Sequence, residues 1–228
     1  MTLISKKFRN SALALSIVFT VTGCGGGSDK VDTLLDDLTP KDKSANITFV
    51  NALDEMASFY VQIRDLNRDV FSDEDKASDI AVNEISSPYK HAWGESLNNT
   101  TFGVQDANSQ TKKDTLNQEL TADSNVFAVA WLSGTDYQLS VFDKQASDKA
   151  DVYSIRVFAN SQMSVKINDS DQVVQTTEIG KVTQRFEVNN CETGLKVSGN
   201  YIDLCTLDLG KSYLVVADTN GKRVLIQE

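Results

Sequence analysis

The sequence predicts an all-β protein: two antiparallel β-sandwiches in tandem, behind a cleaved leader and a flexible linker. Three observations predict it. Short runs alternating β-branched or aromatic residues with polar ones recur along the chain, separated by turn signals. The order of these runs in the first half repeats in the second. Stretches with a helical period are few, and only two prolines and a 40% hydrophobic share suit a folded body rather than a disordered stalk.

The chain opens with Lys6, Lys7 and Arg9, a short apolar run over residues 12–21, and then Thr22, Gly23 and Cys24. The run is too short to span a bilayer, which takes about 20 apolar residues. A basic start, a short apolar core and small residues make a secretory signal peptide over residues 1–23. Val21-Thr22-Gly23-Cys24 resembles the lipobox of bacterial lipoproteins. The resemblance implies cleavage before Cys24, lipidation of Cys24 and attachment to a membrane. Several acyl chains, at about 0.8 kcal/mol per buried methylene, make such an attachment stable. The alternative is a plain secretory signal with a chance cysteine, but no A-x-A site competes nearby. In lipoproteins an aspartate after the cysteine favours retention at the inner membrane. Here that residue is Gly25, so the expected location is the outer membrane.

Residues 24–45 read as a lipid-anchored linker. Gly25-Gly26-Gly27-Ser28 is flexible by composition. Val31, Leu34, Leu35 and Leu38 mark one or two helical turns at most, which Pro40 ends. Cleavage removes three positive charges and no acid, taking the net charge from −10 to −13. A body this acidic excludes nucleic acid and an anionic membrane face as natural partners.

Residues 46–143 are expected to form the first sandwich. Residues 47–52 are a strand rich in β-branched and aromatic residues, and Phe59, Val61 and Ile63 alternate along a second. Residues 72–78 read as an acidic loop. Residues 82–93 look extended, with Pro88 marking a sheet edge or bend. Residues 97–119 read as a long polar insertion, with a short helix around 112–120. Residues 126–132 and 137–142 form a hairpin about Ser133-Gly134-Thr135-Asp136. The charged stretch 143–151 is the domain boundary.

Residues 152–228 then repeat the plan. Residues 154–160 parallel 46–52, Val165-Lys166-Ile167 parallels Val61-Gln62-Ile63, and Ile179-x-x-Val182-Thr183 parallels Val82-x-x-Ile85-Ser86. The closing run 213–226, turned at Asn220-Gly221, parallels the first hairpin. The offset between copies falls from 108 to 104 to 97 to about 86, as it must if the second copy has shorter loops. With Cys24 lipidated, Cys191 and Cys205 remain as a pair in an oxidising compartment and read as a structural disulfide bracing a thin core. The spacing is not C-x-x-C, which counts against a redox or metal pair.

The blocks "ITFVNA…FYVQIRD", "VNEISSPY" and a closing hairpin resemble the immunoglobulin-like repeats of bacterial cell-surface lipoproteins grouped as domain of unknown function 4397. The second copy, "SIRVFANSQMSVKIND", "IGKVTQRF" and "YLVVADTNG", is similar. The resemblance implies an immunoglobulin-like fold and a surface location, and no activity. Leu53-Asp54-Glu55-Met56-Ala57 replaces the family's usual Ser-Pro-Asp-Ala-Pro loop.

No stretch carries a catalytic motif. His91 is the sole histidine, and neither a G-x-S-x-G elbow nor H-E-x-x-H occurs. No cofactor and no metal site is expected. Asp73-Glu74-Asp75 and Asp169-Ser170-Asp171 offer hard oxygens to calcium, but neither fits the D-x-[DN]-x-[DN]-G loop, and acidic turns are ordinarily just solvated. Tyr89, His91 and Trp93 fall on alternate positions and are the candidate binding residues. An exposed aromatic strip stacks on sugars or seats a peptide, whereas an inward one belongs to the core. The expected function is a non-catalytic envelope lipoprotein presenting two immunoglobulin-like modules to protein or glycan, or supporting surface assembly. The alternatives are an enzyme acting on polysaccharide through paired carboxylates and a purely structural spacer.

Overall fold

The computed structural model describes residues 42–64, 67–94 and 99–228. The signal peptide, Cys24 and the leucine pattern before Pro40 lie outside the described residues. All described strands belong to one compact unit, Pro40–Glu228.

The first sandwich contains β1 (Lys43–Asn51), β2 (Ala57–Ile63), β3 (Lys76–Ile80), β4 (Tyr89–Trp93), β5 (Asn99–Asp106), β6 (Lys113–Glu119), β7 (Asn125–Ser133) and β8 (Asp136–Asp143). The second contains β9 (Tyr153–Ala159), β10 (Ser164–Ile167), β11 (Gln175–Thr176), β12 (Phe186–Val188), β13 (Leu195–Val197), β14 (Asn200–Tyr201), β15 (Ser212–Asp218) and β16 (Gly221–Gln227). The protein is all-β, two β-sandwiches in tandem. The first is β4-β1-β7-β8 on β3-β2-β5-β6, and the second is β12-β9-β15-β16 on β11-β10-β13-β14. Adding eight to each strand number converts one topology into the other.

The registers repeat as well. Val50 lies opposite Val129 and Ile85, and Phe158 opposite Val216 and Val182. The hydroxyls of Ser86 and Thr183 accept from the backbone N–H of Phe49 and Val157, both at 2.9 Å. These pairings align the copies there in the register read from the sequence blocks. β2 and β10 differ: Ala57 lies opposite Ile80 and Ser164 opposite Thr176, so Val165 matches Phe59 and not Val61, a two-residue shift that leaves the period-2 pattern unchanged. One detail differs from a purely antiparallel plan: β1 pairs with β7, and β9 with β15, in parallel. A period-2 pattern reports which face is buried and not which way the neighbour runs.

Residues 97–119 are not a free insertion. From Asn99 to Glu119 they form the β5–β6 hairpin, the long counterpart of the short β13–β14 pair. No helix forms at 112–120, because β6 is an edge strand that needs only one apolar face. Leu116 packs inward while the polar side chains line the outside. The Asp114 carboxylate accepts from the Leu139 N–H at 2.9 Å and ties β6 to β8. Residues 72–78 contain a single 3-10 turn (Asp73–Asp75) and the start of β3.

Three cores stack through the unit. Ile47, Phe49, Phe59, Phe102, Val104 and Ala128 fill the first sandwich. Ile155, Val157, Val165, Leu195, Leu204 and Val215 fill the second. The third lies between the sandwiches: Val50, Phe127, Val129 and Trp131 meet Phe158, Leu214, Val216, Val224 and Ile226. This explains the unbroken apolar run at 126–132. Ala128 and Ala130 face one core while Phe127, Val129 and Trp131 face another. At about 1.5–3 kcal/mol per large apolar side chain, this junction holds the sandwiches together.

Polar groups lock the same junction. Ser140 Oγ accepts from Trp131 Nε1 at 3.0 Å and donates to the Gly180 carbonyl at 2.8 Å. Arg223 donates to the Leu53 carbonyl and to Asp54, both at 2.7 Å. Arg156 is 2% exposed and pairs with Glu228, whose side chain is fully buried. Arg156 also donates to the Asp143 carbonyl at 2.8 Å, fastening the connecting segment. Cys191 and Cys205 are joined by a disulfide with Cα atoms 4.7 Å apart. By loop-closure entropy, a cross-link across about 15 residues stabilises by roughly 3 kcal/mol.

Candidate functional site

The candidate site is a side cleft of the first sandwich, about 660 Å³ in volume, where the edges of its two sheets fail to meet. On one wall β2 outruns β3: its β3 partners stop at Tyr60, while its β5 ladder continues to Ile63. Arg64 N–H donates to the Asn99 carbonyl, so even-numbered β2 residues turn their main chain toward β5. Ile63, beyond the last β3 partner, turns its main chain toward the cleft.

The other wall is β4, the edge strand of its sheet. Asn46 N–H donates to the Ser124 carbonyl and Ser86 N–H to the Phe49 carbonyl. In β1, therefore, even residues bond toward β7 and odd residues toward β4. The registers Lys43 to Trp93, Ala45 to His91 and Ile47 to Tyr89 are the hydrogen-bonded pairs. The N–H and C=O groups of Lys90 and Ala92 consequently point away from the sheet. Among the described residues β4 pairs with β1 alone, and no main-chain bond outside the ladders reaches Lys90 or Ala92.

Tyr89, His91 and Trp93 share one face of β4, as their spacing requires, but that face turns inward. Trp93 is 2% and His91 6% exposed, and Tyr89 is half-buried against Phe49. His91 stacks on Trp93 at 5.8 Å. There is no exposed aromatic strip, because the face opposite Ala45 and Ile47 is the core face. Tyr89 and His91 still line the cleft floor, while Trp93 belongs to the core.

The cleft's charged rim was not legible as such. Asp75 sits in a segment that reads as a solvated acidic loop, yet it is buried. Arg68 grips both its oxygens at 2.5 and 2.7 Å, and Gln62 and Ser72 donate at 2.9 and 2.7 Å. The neighbouring loop lies on the outer face of β2 and β5, with Val70 and Phe71 packed over Gly103 and Tyr60. A Cβ at Gly103 would come within 3.0 Å of Val70. The signal for this was present in the glycine and in Val70-Phe71 flanked by charges, but nothing local names the face they cover.

The chemistry of these side chains is fixed rather than reactive. Burial pushes the His91 pKa below its ordinary 6.5, so the ring is neutral at pH 7. Its Nε2 lies 3.2 Å from Thr100 Oγ1, but Thr100 is wholly buried and no substrate reaches that hydroxyl. The two carboxylates lining the cleft, Glu74 and Asp75, both meet Arg68, at 3.5 and 2.5 Å. What the cleft offers a ligand is main chain: two strand edges facing each other across a half-polar gap. Among the described residues no group of three or more His, Cys, Asp or Glu is placed to hold a metal ion, and no helix is long and apolar enough to cross a membrane.

No family model and no curated protein matches the chain.

Proposed function

We propose that the protein is a non-catalytic envelope lipoprotein, anchored in the outer membrane through Cys24, whose immunoglobulin-like double sandwich receives an extended segment of a partner protein. The anchor rests on the basic start, the short apolar run and Val21-Thr22-Gly23-Cys24 followed by Gly25. One observation carries the binding reading: the unpaired main chain of Lys90 and Ala92 on β4, facing the free end of β2 across the cleft. An unpaired edge recruits a strand through main-chain hydrogen bonds, and the flanking side chains choose its sequence.

The test is a pull-down from envelope extract with the chain from Gly25 onward, beside its Ala92→Pro variant. Proline at this position removes an N–H that points away from the β1 ladder, so the fold is expected to survive. Capture by the native chain and loss with Ala92→Pro supports the reading. Equal capture by both moves the binding surface elsewhere. The core between the sandwiches favours a second reading, a rigid spacer. That reading predicts no capture by either form.

A further inference from the structure

We propose that the outer face of the β11-β10-β13-β14 sheet carries a separate binding site for an acidic sugar, formed by Lys166, Lys196 and Tyr201. Alternation places it there. Val165, Leu195 and Val197 are wholly buried in the second core, so Lys166 and Lys196 between them face outward. Lys166 lies directly opposite Lys196, and Lys196 directly opposite Tyr201. The three form one row across three strands, spanning about 9.5 Å at the usual strand spacing.

The row runs against what stability alone prefers. Like charges directly opposite each other destabilise a sheet, and this chain carries 32 acids against 22 bases from which partners might have come. Lys196 has no carboxylate within 4.0 Å among the described residues; its Nζ lies 4.6 Å from the centre of the Tyr201 ring instead. Lys166 reaches a carboxylate only at 3.9 Å, that of a fully exposed Asp171. Tyr201 is a large aromatic that is 54% exposed. It is held by a tight turn in which Ser198 and Gly199 both take the left-handed backbone, with φ of 47° and 88°.

These parts match one chemistry. The ammonium groups take a carboxylate by charge-assisted hydrogen bonds. The exposed Tyr201 ring gives the C–H face of a sugar ring an apolar surface. The same notch is lined by Ser170 and Thr193, whose hydroxyls donate and accept, and by the carboxylates of Asp169 and Asp171, which accept from sugar hydroxyls and against which the two ammonium groups must hold the uronate carboxylate. A uronate residue in a glycan satisfies all three. The site uses neither the cleft nor β4, so it stands or falls apart from the strand-binding reading.

The test is a titration of the chain from Gly25 onward with tetragalacturonic acid, a neutral tetrasaccharide and inorganic phosphate, followed by amide NMR shifts at Lys196 and Tyr201. The uronate is expected to bind, to weaken with added salt, and to lose at least about tenfold in affinity with Lys196→Gln and with Tyr201→Ala. Both side chains lie on the surface, and Lys196→Gln removes a like-charge neighbour, so the melting temperature is expected to hold. Failure of the uronate to bind at millimolar concentration overturns the proposal. So does equal binding of the neutral sugar. So does phosphate binding that matches the uronate and ignores Tyr201→Ala, which would leave a bare anion site.

Discussion

Gly180→Ala tests the junction between the sandwiches. Gly180 has φ +68°, and a Cβ there would stand 2.5 Å from Trp131 Cζ2 and within 3.3 Å of two further ring atoms. The indole cannot yield: its N–H is held by Ser140, whose hydroxyl is in turn held by the Gly180 carbonyl. Two penalties add. Left-handed backbone costs an L-residue roughly 1–2 kcal/mol, and overpacking costs about 1–3 kcal/mol, giving roughly 2–5 kcal/mol in all. Gly134→Ala separates them, because Gly134 has nearly the same φ, +63°, but nothing within 4 Å of its Cβ. The assay is urea unfolding of both variants, followed by tryptophan fluorescence in a Trp93→Phe background so that the signal is that of Trp131, which is 7% exposed in the native protein. Gly180→Ala is expected to lose about 1–3 kcal/mol more than Gly134→Ala. Equal losses would mean that Trp131 is not packed on Gly180 and that the junction is loose.

Three further outcomes follow from the same contacts. Arg156→Met leaves Glu228 buried without its partner and is expected to lose about 3–5 kcal/mol in urea unfolding, while joint replacement with Glu228→Leu recovers most of it. His91 predicts a pH dependence of stability. Its folded pKa is lowered by burial, so between the unfolded value near 6.5 and the lower folded value the unfolded state binds more protons. Stability therefore falls as pH drops below about 6.5 and levels off under the folded pKa. His91→Gln is expected to flatten urea midpoints compared at pH 7.5 and 5.5. The lowered carboxyls of Glu55, Asp79 and Asp106, with ordinary values of 4.5, 3.8 and 3.8, act only at more acid pH. Cys24→Ser is expected to abolish incorporation of labelled palmitate and to move the protein from the membrane to the soluble fraction. Unchanged membrane association would refute the anchor.

The fold was largely legible because it rests on period-2 alternation and duplication. Residues 46–52 against 154–160, and Ser86 against Thr183, are visible as sequence and hold as registers. Val165-Lys166-Ile167 instead matches Phe59-Tyr60-Val61, two residues from the block read in the sequence, because period-2 alternation looks the same after a shift of two. The β5–β6 hairpin was misread as an insertion because an edge strand with solvent on one face carries few apolar residues. The site was less legible for a related reason. Tyr89, His91 and Trp93 announce a strand with one aromatic face, but only the neighbours of that face decide whether it is core. The groups that matter in the cleft are the main chain of Lys90 and Ala92, and no side chain advertises an unpaired edge. Arg68 and Asp75 are seven residues apart in a charged stretch, and their pairing depends on a loop folding across β2.

The most direct test of the proposed binding edge is amide hydrogen exchange along β4, read residue by residue by NMR. In the protein alone, His91 and Trp93 are expected to exchange slowly and Lys90 and Ala92 quickly, because only the former donate to β1. With a captured partner bound, Lys90 and Ala92 are expected to become protected while the alternation elsewhere is unchanged. Slow exchange at Lys90 and Ala92 in the protein alone would show the edge already covered, and would contradict the account.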